Sequence, residues 1–245
     1  MATVIAGRKP VIEALRAGRP VEKVLLQAGA TGAVIEEIRA LAARRSVPTA
    51  TVGREEFRGV FSGETAQGVL AIVQARELLD LGALLEVPAR RGERGLLLML
   101  DEIADPHNLG ALIRSAECAG IHGVLLPRHR TAPLSASVVK SSAGATEHMA
   151  VAEVTNLVAA IGELKQKGYW IIGLAVEGNR SYTQVDYRDP VVIVVGNEGK
   201  GIRRLVREHC DHLVTIPLYG SIGSLNASVA GALVMYEAAR QRHSS

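Results

Sequence analysis

Five short, nearly unbroken aliphatic runs mark the C-terminal part of the chain. They are LLLML (96–100), GVLLP (123–127), WIIGLA (170–175), VVIVV (191–195) and HLVTI (212–216). Runs of this length with no polar alternation predict strands buried on both faces. Residues at helical spacing fill most of the gaps, over Leu109–Ala119, Ser135–Ser142, Asn156–Lys167 and Leu225–Arg240. Strands alternating with helices predict an α/β layer structure, a parallel sheet with helices on both faces.

The first 75 residues carry a shorter alternation. Pro10 suits a first helical position, and Val11, Ile12, Ala14 and Leu15 follow before Gly18 stops the helix. KVLLQ (23–27) predicts a strand, and Val34, Ile35, Ile38, Leu41 and Ala42 mark one helix face that ends near Pro48. TATV (49–52), a short helix over Glu55–Val60 and GVLAIV (68–73) complete a small αβαβαβ unit. Between the two patterns, residues 76–94 open with a helix-like stretch and close on Pro88 and a charged, glycine-containing run. The expected organisation is therefore a domain over 1–75, a linker over 76–94 and a second domain over 95–245.

Composition narrows the class. Hydrophobic residues make up 48% of the chain and aromatics only 3%, so the cores must be aliphatic, which suits α/β layers better than a sandwich. No apolar run approaches a membrane span, and the opening MATVIAGRKP lacks a signal-peptide core. Cys118 and Cys210 stand far apart without a paired spacing, so a reduced, cytoplasmic protein is expected. Residues 1–75 hold 10 Lys and Arg against 7 Asp and Glu, which accounts for the whole net charge of +3. A basic module beside a neutral one fits an RNA tether joined to a catalytic domain, and also the ordinary scatter of surfaces.

Ligands in parallel sheets sit at the carboxyl ends of the strands, and three loops there are rich in polar groups. DEIADPHNLG follows the first strand; Asn108 is placed to begin a helix that carries Arg114 among apolar neighbours, as a surface charge or a phosphate clamp. GNEGKGI (196–202) surrounds Glu198 with glycines, yet it is neither GxGxxG nor a P-loop; it reads as a glycine-rich turn with a solvated Glu, or as a loop that suits a nucleoside or a cation better than a triphosphate. In GSIGSLNASVAG (220–231), Ser224 or Asn226 can cap the next helix, which explains one polar residue and leaves the other free.

Together, NxGxxxR (108–114), GNEGxG (196–201) and IPxxGxxxSLNxSVA (216–230) resemble the TrmH group of the SPOUT RNA methyltransferases. The N-terminal GRKPVIEALRAG and TAQGVLAIV resemble that group's ribosomal-protein-like RNA-binding domain, with Ala66-Gln67-Gly68 where the group usually has His-Gln-Gly. The two-domain layout is most similar to the bacterial 23S rRNA guanosine-2′-O-methyltransferases. The resemblance implies a C-terminal SPOUT α/β-knot, with a deep trefoil knot in a parallel sheet, plus a small α/β RNA-binding domain. It further implies S-adenosylmethionine as cofactor, 23S rRNA as partner, and a homodimer paired through the catalytic domain. Neither a membrane nor a metal is expected, since the seven histidines show no ligand spacing.

Carried over by motif, Gly196, Ile216 and Leu225 would line the cofactor pocket, with Leu174 and Ala175 beside them. Arg114, Asn108, Glu198, Ser224 and Asn226 would form the catalytic set. Arg114 matches the arginine for which the family offers a general-base role, whereas holding the target phosphate and stabilising an alkoxide suits a guanidinium better. Rival readings are methylation of tRNA ribose, an antibiotic-resistance rRNA methyltransferase, a catalytically silent ribosome-assembly factor, and a nicotinamide oxidoreductase. The last lacks the dinucleotide fingerprint. The silent factor would tolerate loss of Arg114, Glu198 or Asn226, and all three are present.

Overall fold

The computed structural model describes residues 2–61, 66–74 and 77–243. The chain divides into two compact units, 1–77 with 134–148, and 78–133 with 149–245.

The first unit runs β1 (Ala2–Ala6), α1 (Arg8–Arg16), β2 (Val21–Gln27), α2 (Ala33–Arg44), β3 (Thr49–Val52), α3 (Arg54–Val60) and β4 (Val69–Gln74). Its sheet has the order β1-β4-β2-β3, with β2 and β3 parallel and the other pairs antiparallel. Strand β1 is absent from the sequence reading, because five residues beside the chain start carry little periodicity. Ile5, Val11, Leu15, Val24, Leu26 and Ile38 form one apolar layer. Ala66 packs with Leu25, Phe57 and Leu70 in another. The neighbouring Gln67, at a φ of 50°, accepts from the Arg8 backbone and side chain.

Residues 134–148 group with this unit although they lie within the span expected for the catalytic domain. They contain helix α6 (Ala136–Ser141), whose Val139 is buried in the first layer, and a 3-10 turn (Ala145–Glu147). There the almost fully buried Glu147 carboxylate takes the Arg19 guanidinium at 2.6 Å.

The second unit contains α4 (Leu81–Arg91), β5 (Leu96–Asp101), α5 (Pro106–Cys118), β6 (Gly123–Pro127), β7 (Val151–Val154) and α7 (Leu157–Gln166). It continues with β8 (Trp170–Leu174), β9 (Arg180–Ser181), β10 (Val191–Gly196), α8 (Arg204–Glu208), β11 (His212–Thr215) and α9 (Ala227–His243). The seven strands pair in the order β7-β6-β5-β10-β8-β11-β9, all parallel. The central strands β5 and β10 are buried at every position, as their unbroken apolar sequences require.

Of the segment expected to be a linker (76–94), residues 78–94 are instead part of this unit. Asp80 caps α4 through Ala83 N, and Leu84 is fully buried against Gly123, where any Cβ would lie 2.3 Å from the Leu84 side chain. Burying one leucine contributes roughly 1.5–3 kcal/mol, enough to hold a helix that its charged C-terminal half would leave in water. Strands β7 and β9 are also additions to the sequence reading. On the far side of the sheet, Gly178 lies so close to the Val214 and Thr215 backbone that a Cβ would sit 2.5 Å away. The β8–β9 connection and β11 thus meet main chain to main chain.

Candidate active site

The ends of β5, β8, β10 and β11 lie side by side at one edge of the parallel sheet, and the loops leaving them form the site. Helix α5 starts earlier than the sequence suggests. Asp105, not Asn108, is its cap, accepting from His107 N at 3.1 Å and Asn108 N at 3.3 Å, with Pro106 in the first position. Asn108 therefore lies in the first turn with its amide free for other partners. At α9 the cap is Asn226, whose Oδ1 accepts from Ser228 N at 2.9 Å, Ser228 Oγ at 2.6 Å and Val229 N at 3.4 Å. That leaves Ser224 without a capping task.

The two asparagines and Glu198 form a chain of hydrogen bonds across three loops. Asn226 Nδ2 donates to Asn108 Oδ1 at 2.9 Å, and Asn108 Nδ2 donates to Glu198 Oε1 at 2.6 Å. Its direction is fixed from one end. Because the helix cap needs Asn226 Oδ1 as an acceptor, the Asn226 nitrogen must face Asn108, and the Asn108 nitrogen must then face the carboxylate. The three residues are solvent-accessible, so the relay can meet a substrate directly.

Beside the relay lies a cleft of about 310 Å³. All five residues expected at a cofactor, Leu174, Ala175, Gly196, Ile216 and Leu225, line it, and so do Glu198 and Ser224. Gly196 is obligatory here, since a Cβ would lie 2.3 Å from the Gly201 and Ile202 backbone. The donor set fits S-adenosylmethionine: aliphatic walls for a planar base, main-chain groups of the glycine loop, and the Glu198 carboxylate for a cationic sulfonium.

Arg114 is not drawn into this constellation. It is exposed on α5, does not line the cleft, and makes no hydrogen bond or ion pair among the described residues. Conversely, Glu177 and Arg207 line the cleft and pair with each other, and sequence reasoning missed both. Glu177 lies in the loop that leaves β8, so the rule that locates ligands at strand ends already pointed to it. Arg207 sits on a five-residue helix that the hydrophobic pattern does not reveal.

Residues 95–236 match the SpoU rRNA Methylase family, and residues 4–79 match the RNA 2′-O ribose methyltransferase substrate-binding domain. A Bacillus subtilis (strain 168) chain assigned to the TrmH family of tRNA/rRNA methyltransferases is 37% identical over 98% of this chain and 96% of its own length. Among solved structures, the SpoU methyltransferase AviRb of Streptomyces viridochromogenes in complex with AdoMet is 25% identical. It covers 100% of this chain and 92% of its own, with a TM-score of 0.83. An AdoMet-bound rRNA methyltransferase of Sinorhizobium meliloti is likewise 25% identical, covering 100% of this chain and 88% of its own at a TM-score of 0.77. With its parallel SPOUT sheet and its N-terminal substrate-binding domain, the chain belongs to the SpoU/TrmH family of S-adenosylmethionine-dependent RNA 2′-O-ribose methyltransferases.

Proposed function

We propose that the chain methylates the ribose 2′-oxygen of a guanosine in 23S rRNA, as enzymes of the RlmB type do, and that it works as a homodimer in the cytoplasm. The observation that carries the chemistry is the Glu198–Asn108–Asn226 relay at the rim of the cleft. Supporting an rRNA target are the match to the rRNA methyltransferase of Sinorhizobium meliloti along the whole chain and the basic excess of residues 1–75. Two free cysteines accord with a reducing compartment.

When bound, the cofactor supplies a methyl group already activated by its sulfonium. The protein is left to align a ribose hydroxyl and to ease loss of its proton. Glu198 holds the Asn108 amide in one orientation, and Asn108 and Asn226 present oriented polar groups to the ribose. Ser224, free of the helix cap, adds a hydroxyl at the same rim. Arg114 holds the target phosphate and stabilises developing alkoxide charge.

The homodimer reading rests on α9. One side buries Val234, Met235 and Ala238, while Val229, Leu233 and Tyr236 stand exposed four and three residues apart on the other. Leu218, Tyr219 and Ile222, in the loop that leads into α9, are exposed as well, and a helix apolar on both sides is one that is covered on both sides. A partner docked on it brings a second Arg114 into the assembly, which suits a residue that finds no hydrogen-bond or ion-pair partner among the described residues of its own chain.

The test is transfer of labelled methyl groups to unmodified 23S rRNA and to tRNA, with the modified nucleotide mapped. Label on a guanosine ribose of 23S rRNA is expected. Label confined to tRNA would overturn the rRNA assignment.

A further inference from the structure

Asp101 is the last residue of β5, fully buried, and aligned with Gly196, the last residue of β10. The cofactor loop leaves the sheet at Gly196 and ends at Arg203. Arg203 returns to the same carboxylate: its N–H donates to Asp101 Oδ2 at 2.8 Å and its Nε to Oδ1 at 2.7 Å. One buried carboxylate thus stands at both ends of an eight-residue loop (196–203).

The loop between these ends is cross-braced. Asn197 and Gly201 exchange two backbone hydrogen bonds, at 3.1 and 2.8 Å, and Asn197 Oδ1 accepts from Gly199 N and Lys200 N. Asn197 Nδ2 reaches back to the Glu102 carbonyl at 3.2 Å. Glu102 itself sits in the left-handed region, at a φ of 60°, which costs a non-glycine residue roughly 1–2 kcal/mol. That strain is maintained beside Asp101, and it is this turn that presents the carbonyl to the loop. The Glu102 carboxylate also lies 3.5 Å from Arg203 Nη1.

We propose that Asp101 and Arg203 are positioning residues for methyl transfer: their ion pair draws the cofactor loop closed and sets the wall against which S-adenosylmethionine binds. The inference rests on the reading of the cleft as the cofactor site. The pair does not line the cleft and acts through Gly196 and Ile202, which do, while Glu198 is held separately by the Asn108 amide. Loss of the ion pair leaves the loop exit held by the Arg203 N–H alone, while the sheet and the Asn108–Glu198 bond stay formed, so the effect falls on cofactor binding and not on the chemical step at saturation.

The experiment measures S-adenosylmethionine affinity by calorimetry, with kcat and cofactor KM for RNA methylation, on the full chain. The variants are Asp101→Asn, Arg203→Met, Arg203→Lys, the double Asp101→Asn/Arg203→Met, and Ala175→Phe as a cleft-filling control. Asp101→Asn and Arg203→Met are expected to weaken cofactor binding and raise its KM by about tenfold or more, the scale of a charge-assisted bond. Turnover at saturating cofactor and KM for RNA should stay at wild-type values. Arg203→Lys should recover part of the affinity, and the double variant should lose no more than the worse single one. Arg203 is largely at the surface, so its variants keep the test open if Asp101→Asn does not fold. Wild-type affinity in Arg203→Met, with affinity lost in Ala175→Phe, would overturn the positioning role and leave the cleft reading standing. Wild-type affinity in Ala175→Phe would overturn the cleft reading, and this inference with it.

Discussion

Asn226 performs two tasks with the two ends of one amide, and substitution can separate them. In Asn226→Ala both are lost: the cap of α9 and the donor to Asn108. Loss of a cap costs roughly 1 kcal/mol, and for a chain of this size that lowers Tm by about 2–4 °C. Asn226→Asp keeps an acceptor for Ser228 and Val229, and its charge is favourable at a helix N-terminus, so Tm should stay at or above the wild-type value. The relay nevertheless fails. With the Asn108 oxygen facing the introduced carboxylate, two oxygens meet where a 2.9 Å donor contact stood; with that amide flipped, its oxygen meets Glu198 Oε1 at 2.6 Å instead. Either orientation leaves one oxygen–oxygen contact. A bond on a charged chain contributes about 1.5–3 kcal/mol, which converts to a loss of roughly 10- to 100-fold in kcat/KM. Circular dichroism melting and labelled methyl transfer read the two effects separately. Full activity in Asn226→Asp would refute the relay as part of the catalytic machinery, and a Tm drop equal to that of Asn226→Ala would refute the cap assignment.

Two further outcomes follow from the geometry. Arg114→Ala should abolish methyl transfer while cofactor affinity, measured by calorimetry, stays near wild type, because Arg114 lies outside the cleft; normal turnover would remove it from the mechanism. Burial pushes the Cys210 thiol up to about 12, whereas Cys118 is exposed and its thiol is raised by partial burial and the neighbouring Glu117. At about pH 8 an alkylating reagent should therefore modify Cys118 first and leave Cys210 as thiol, as mass spectrometry of peptides would show.

The parallel sheet was legible because β5, β8 and β10 are apolar along their lengths, and the three loops were legible because ligands collect at the ends of such strands. Strand β9 escaped because two residues have no period, and β7, VAEV, because an edge position dilutes its apolar pattern. Residues 76–94 read as a linker because their charges cluster, yet the buried Leu84 fastens α4 to the sheet. The segment 134–148 misled for another reason: nearness in sequence suggests one domain, while Val139 is buried in the other unit's core. The five residues expected at a cofactor do line the cleft, whereas Glu177 and Arg207, which line it too, escaped. The bonds from Asn108 to Glu198 and from Asn226 to Asn108 join positions 90 and 118 residues apart, and only the folded sheet brings them together. The Asp101–Arg203 pair was hidden too, since a carboxylate at a strand end reads as an ordinary turn residue.

The wall at 196–201 presents mostly peptide groups, because three of its six residues are glycine and Gly196 has no room for a Cβ. Mutation exchanges side chains and leaves amides as they are. Recognition written in the main chain is therefore shielded from genetic drift, and an inhibitor seated there would offer the cell few substitutions with which to evade it.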